Sequence, residues 1–194
     1  MRKIAVLFGG QSVEHEISLI SAQNIIQAID KNKFQVVPVG ITKTGQFLLF
    51  KQNNYLTSPT DAKKISLDET KGKEVVFLPG KSELFVLETK ETIKIDIVFP
   101  VLHGNFGEDG TIQGLLKLSN VPFVGAGVLG SALGMDKTYT KKILQSSNIP
   151  VADYLTFKEE EKDQIDFGKI TQKLALPLFI KPANTGSSVG INKV

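Results

Sequence analysis

Ile4-Ala5-Val6-Leu7-Phe8-Gly9-Gly10-Gln11-Ser12-Val13-Glu14-His15-Glu16-Ile17-Ser18 is the stretch on which the fold turns. Its five consecutive apolar residues stop at a glycine pair, the pattern of a strand buried on both faces. Beyond it Ile17, Ile20, Ser21, Asn24, Ile25, Ala28 and Ile29 recur at helical spacing, and residues 36–41 form a second apolar run. Strand, glycine turn, helix and strand make a βαβ unit, whose two strands should be parallel. The chain therefore opens as an α/β fold, and ligands of such sheets sit at the carboxyl ends of the strands. Glu14, at the helix start, can either complement the helix dipole or face a ligand ammonium group.

Working outward, residues 42–91 change character. Short strands are expected at 47–50, 75–78 and 84–87, separated by turns rich in Lys, Thr and Gly. This is a β-rich elaboration whose scattered lysines read as a solvated face. Residues 95–102 resume the buried-strand pattern, followed by a helix over 111–118 and a brief strand at 122–124. Between strand and helix lies His103-Gly104-Asn105-Phe106-Gly107-Glu108-Asp109-Gly110, a second strand-end loop that should face the same crevice as Gly9-Gly10. His103 is either a donor to a carboxylate or a proton shuttle, or a loop histidine satisfied by backbone.

Gly125-Ala126-Gly127-Val128-Leu129-Gly130 matches the G-x-G-x-x-G fingerprint of dinucleotide-binding folds, with Asp153 near the expected distance downstream. Asp153, however, starts its expected strand (152–157), whereas a ribose-binding acid ends one, so a tight loop competes with the nucleotide reading. Asp136 reads as an N-cap for a helix over 137–146. A strand at 152–157, a helix over 164–174 and a strand at 178–181 follow. The last of these delivers Lys181-Pro182 into Ala183-Asn184-Thr185-Gly186-Ser187-Ser188-Val189-Gly190. A lysine followed by a small-residue loop suits phosphate, since backbone N–H groups can wrap around its oxygens; a surface hairpin is the other reading.

Composition removes several function classes. With no Cys, disulfides, zinc thiolates and a thiol nucleophile are excluded together. The net charge of +3 is spread along the chain, with no basic run interleaved with aromatics, so no nucleic-acid groove is expected. The apolar run after Met1-Arg2-Lys3 is too short for a signal peptide, and none approaches the roughly 20 residues that cross a bilayer. The expectation is a soluble, cytoplasmic protein with no membrane partner.

Four stretches, taken in order, resemble the D-alanine–D-alanine ligase family of the ATP-grasp fold. They are Leu7-Phe8-Gly9-Gly10 through Glu14-His15-Glu16-Ile17-Ser18; Leu102-His103-Gly104 with Gly107-Glu108-Asp109-Gly110-Thr111-Ile112-Gln113-Gly114; Ser131-Ala132-Leu133-Gly134-Met135-Asp136-Lys137 after the glycine loop; and Ile180-Lys181-Pro182 through Gly186-Ser187-Ser188-Val189-Gly190. The resemblance implies an α/β protein with an N-terminal parallel-sheet, Rossmann-like domain over residues 1–136 and the start of an ATP-grasp domain over 137–194. In that family the carboxylate of one D-alanine attacks the γ-phosphate of ATP, and the amine of a second D-alanine displaces phosphate from the acyl phosphate. By the same resemblance Glu14 orients the ammonium of the first D-alanine with Ser187 hydrogen-bonded to it, these two being the catalytic pair. His103 lies near the same substrate. Lys137 and Lys181 contact the nucleotide phosphates, and the 184–190 loop, with Gly186, Ser187 and Ser188, closes over ATP. Implied too are Mg2+ with its ligands beyond residue 194, hence no metal site in this segment; a role in peptidoglycan precursor synthesis, cell-wall biogenesis and cell shape; and a homodimer formed through the N-terminal domain. The chain is then expected to be a truncated front portion, not competent alone. The rival readings are an NAD-dependent oxidoreductase built on residues 125–130, a D-alanine–D-lactate ligase variant, and a non-catalytic binding fragment.

Overall fold

In the computed structural model, which describes residues 1–51 and 55–194, the opening apolar run forms strand β1 (Arg2–Gly9), followed by helix α1 (His15–Ala28) and strand β2 (Phe34–Ile41). β1 and β2 pair in parallel from Arg2↔Phe34 to Gly9↔Ile41. Successive β1 side chains point to opposite faces. Ile4, Val6 and Phe8 pack with Leu19, Ala22 and Ile26 of α1, while Ala5 and Leu7 join Val98, Ile112 and Leu116 on the other side. Both faces are thus covered, which is why the run is continuously apolar rather than alternating.

The β-rich segment supplies β3 (Phe47–Leu49), β4 (Leu56–Thr57), β5 (Ser66–Leu67), β6 (Lys73–Leu78), β7 (Glu83–Val86) and β8 (Thr92–Lys94). Strand β9 (Ile97–Pro100) and helices α2 (Thr111–Leu118) and α3 (Val128–Met135) follow. Seven strands form one sheet in the order β8-β7-β6-β3-β2-β1-β9. Its parallel strand pairs are β1 with β2 and β1 with β9, and the elaboration extends the same sheet by antiparallel pairing. Because β1 and β9 are adjacent and parallel, the loops leaving them emerge at one sheet edge. The expected strand at 122–124 shrinks to a single parallel bridge, Val98↔Phe123, before the chain turns away at Gly125.

The chain divides into two compact units, Met1–Ala132 and Leu133–Val194. Among the described residues, the buried hydrophobic side chains all fall between Ile4 and Val121, in the first unit. The second unit holds α4 (Lys137–Ser146), α5 (Phe167–Leu174) and a short antiparallel pair, β10 (Phe179–Ile180) with β11 (Asn192–Lys193). Asp136 caps α4 as the sequence suggests: its carboxylate accepts from the N–H groups of Thr138 and Tyr139 at 2.9 and 3.0 Å, satisfying two of the four donors a helix start leaves open. Residues 152–157, expected as a strand, form none. They find no ladder partner and are held by side chains of α4 instead: Lys141 donates to the Ala152 carbonyl at 3.0 Å, and the Tyr154 hydroxyl to Gln145 Oε1 at 3.1 Å.

Candidate functional site

At the carboxyl end of β1 the backbone enters a conformation that only glycine adopts readily. Gly9 has φ of 88°, and a Cβ there would sit 2.4 Å from the Ile41 carbonyl oxygen. Helix α1 then ties the turn down. Ser18 Oγ accepts from the Gly9 N–H at 2.8 Å and donates to the Val101 carbonyl, linking the ends of β1 and β9. The buried His15 places Nδ1 2.8 Å from the Gly10 carbonyl.

Glu14 occupies the N-cap position of α1, yet its side chain makes no capping hydrogen bond; Ser12 Oγ accepts the Glu14 N–H instead, at 3.1 Å. The carboxylate lies against the second strand-end loop. A Cβ built on Gly104, at φ of 71°, would stand 2.6 Å from Ser12 Oγ and 2.9 Å from Glu14 Oε2. The two loops therefore face one another, as the βαβ reading required. Half-buried His103 has Nε2 3.1 Å from Ser21 Oγ of α1, so a side chain rather than backbone orients it.

The 103–110 loop is shaped by its own residues. Gly104 N–H donates to Glu108 Oε2 at 2.6 Å, Phe106 N–H to Asp109 Oδ2 at 2.8 Å, Thr111 N–H to Asp109 Oδ1 at 3.0 Å, and Gln113 Nε2 to the Gly107 carbonyl at 2.8 Å. Partial burial pushes the Asp109 carboxyl up, but the backbone donors of Thr111 and Phe106 outweigh it and hold the group below the ordinary carboxylate range. A cavity of about 150 Å³ opens at this edge, lined by Gly9, Gly10, Leu102, His103, Phe106 and Ile112 among others.

The second group of candidates belongs to the second unit. The Lys137 N–H donates to the Ala183 carbonyl at 3.0 Å, and its ammonium to the Ala183 carbonyl at 3.4 Å and to that of Thr185. The loop is a compact turn, with Thr185 Oγ1 donating to the Val189 carbonyl at 3.2 Å and Val189 N–H to the Gly186 carbonyl at 3.0 Å. Ser187 and Ser188 take φ of 46° and 60°. Gly186, Ser187 and Ser188 are exposed, as is Lys181, whose ammonium lies 5.8 Å over the Phe179 ring.

The dinucleotide fingerprint does not acquire the geometry that gives it meaning. Its glycines serve close backbone and helix–strand approach. Here a Cβ at Gly125 or Gly127 would meet nothing within 4 Å, and at Gly130 only the Ala126 Cβ at 3.5 Å. The strand before it is a single bridge, and Asp153 falls in the segment that forms no strand. Among the described residues, no three or more His, Cys, Asp or Glu gather where they could hold a metal ion, and no helix is long and apolar enough to cross a membrane.

The sequence reading assigned no positioning role to Ser12, Ser18 and Ser21. The available signal was Ser18 and Ser21 three apart on α1, two hydroxyls beside the apolar stripe that packs on the sheet, where a polar group needs a partner.

Comparison with known proteins follows the same division of the chain. Residues 3–126 match the family model described as the D-ala D-ala ligase N-terminus, and residues 143–194 that of the D-ala D-ala ligase C-terminus. A D-alanine–D-alanine ligase of Shouchella clausii is 46% identical over 99% of this chain and 53% of its own length; D-alanine–D-alanine ligase A of Escherichia coli K12 is 43% identical over the same shares. Among solved structures, the D-alanine–D-alanine ligase of Coxiella burnetii superposes with a TM-score of 0.87 at 34% identity, covering 100% of this chain and 56% of that one. A D-Ala:D-Ser ligase of Enterococcus faecalis gives a TM-score of 0.82 at 37% identity, covering 99% of this chain and 55% of that one. The chain spans about half the length of the curated relatives it matches. With the N-terminal model covering most of it and the C-terminal model following in order, the chain belongs to the D-alanine–D-alanine ligase family.

Proposed function

We propose that this chain forms the first-substrate site and part of the phosphate site of an ATP-dependent ligase that joins two D-alanine molecules for peptidoglycan precursor synthesis. The observation that carries the reading is the Glu14 carboxylate set against Gly104 at the edge where β1 and β9 end. A half-buried carboxylate at this strand-end edge is suited to pair with an ammonium group. His103, whose Nε2 lies 3.1 Å from Ser21 Oγ, would donate to the substrate carboxylate.

In the reaction so assigned, a carboxylate oxygen of the first D-alanine attacks the γ-phosphorus of ATP and ADP leaves. The neutral amine of the second D-alanine then attacks the acyl carbon, phosphate departs with the bridging oxygen, and the amine loses a proton. Lys137 and Lys181 supply positive charge to the phosphates, and Gly186, Ser187 and Ser188 supply loop N–H groups. The family resemblance assigns catalytic roles to Glu14 and to Ser187. Phosphoryl transfer of this class uses magnesium to neutralise phosphate charge. No carboxylate cluster among the described residues fits that ion. We further assign the protein to the cytoplasm, place the domain boundary at the start of α4, and propose a homodimer through residues 1–136.

ADP release by the complete gene product tests the reading. D-Alanine alone should drive release; adding D-lactate or D-serine, the latter named for the Enterococcus faecalis relative, reports the second substrate. Absence of D-alanine-dependent release contradicts the proposal.

A further inference from the structure

We propose that Lys137 is a positioning residue: the latch that holds the 184–190 loop against the start of α4. Lys137 is the first residue of α4, and its N–H is one of the donors a helix start leaves open. Asp136 takes the N–H groups of Thr138 and Tyr139, and that of Lys137 goes to the Ala183 carbonyl at 3.0 Å. The ammonium of the same residue reaches the Ala183 carbonyl at 3.4 Å and the Thr185 carbonyl. One residue thus grips the Ala183 carbonyl at the base of the loop and the Thr185 carbonyl within it, with main-chain and side-chain donors together.

Two other hydrogen bonds of the loop do a different job. Thr185 Oγ1 to the Val189 carbonyl and Val189 N–H to the Gly186 carbonyl fix its internal shape, but neither joins it to α4. Lys181, over the Phe179 ring, takes no part in the grip. The side-chain arm of the latch is the ammonium of Lys137, and its acceptors are neutral carbonyls. A phosphate oxygen is the stronger acceptor, because hydrogen bonds between two charged groups are roughly twice as strong as neutral ones. The ammonium has three donors and gives two of them to these carbonyls, so it is displacement of the ammonium toward an anion, beyond reach of the Thr185 carbonyl, that frees the loop to move while the Lys137 N–H keeps its base at Ala183 in place. The latch stands independently of the ligase reading; its release by a nucleotide rests on that reading.

Hydrogen exchange of the 194-residue chain, without nucleotide, tests the latch in three forms: unmodified, Lys137→Met and Lys137→Arg. Loop amides of residues 185–190 should exchange about tenfold faster in the Met variant, the loss of a charge-assisted bond, and regain protection in the Arg variant, which keeps donors in reach. Equal loop exchange in unmodified and Met chains overturns the latch. Should the Met variant lose α4 itself, amine acylation of the unmodified chain decides: Lys137 should react about threefold or more slowly than the exposed Lys142 on the same helix, since its ammonium is engaged. Equal rates overturn the proposal. Neither readout uses ATP or D-alanine, so failure here leaves the ligase reading standing, and failure of ADP release leaves the latch standing.

Discussion

Gly104 is a residue at which the two strand-end loops are tightly committed to one another. Gly104→Ala would drive a Cβ into Ser12 Oγ and Glu14 Oε2 and force an L residue to φ of 71°. The expected cost is about 1–3 kcal/mol in chemical denaturation, with weakened D-alanine binding by calorimetry on the complete gene product. Asp109 shapes the neighbouring turn, and its folded carboxyl is held below the ordinary range. A depressed value means the group contributes stability above the unfolded carboxyl pKa of about 3.9, and loses it as pH falls through the folded value. Exchange protection of loop 103–110 should therefore fall on acidification below about pH 4, and Asp109→Asn should flatten that dependence. At this scale the residue types were legible, but not their partners. Whether Glu14 serves its helix or a ligand depends on Gly104, ninety positions away in sequence and adjacent only because β9 pairs with β1.

Among the elements, β1 was the most legible, because burial on both faces leaves five apolar residues in a row. Helix α4 was legible at its start, since Asp136 is a strong N-cap residue and does accept two N–H groups. Asp136→Ala should cost about 1 kcal/mol and show as faster amide exchange through the first turn of α4, with α1 unaffected. Residues 152–157 misled because β propensity describes what a pleated surface accepts, not whether a neighbouring strand is there to pair. The glycines of residues 125–130 could be read two ways from sequence, because their spacing matches a fingerprint whose meaning lies in close packing; that packing is absent at Gly125, Gly127 and Gly130.

Across the whole molecule, stability is unevenly distributed. The buried hydrophobic residues among those described belong to the first unit, whereas Ile143, Ile149, Phe157, Ile165 and Phe167 of the second are 42–54% exposed. Limited proteolysis of this chain should therefore cut within residues 147–190 before it cuts within β1, α1 or β2, because local opening is easiest where few apolar contacts resist it. The order of four motifs along the chain carried the family, and the family models confirm it. The chemistry assigned to that family has a direct isotopic test. The complete gene product is supplied with ATP and D-alanine carrying 18O in its carboxylate, and the released phosphate is weighed by mass spectrometry. Attack of the carboxylate on the γ-phosphorus followed by amine displacement at carbon transfers one labelled oxygen to phosphate in each turnover; unlabelled phosphate accompanying dipeptide formation would contradict the acyl-phosphate route.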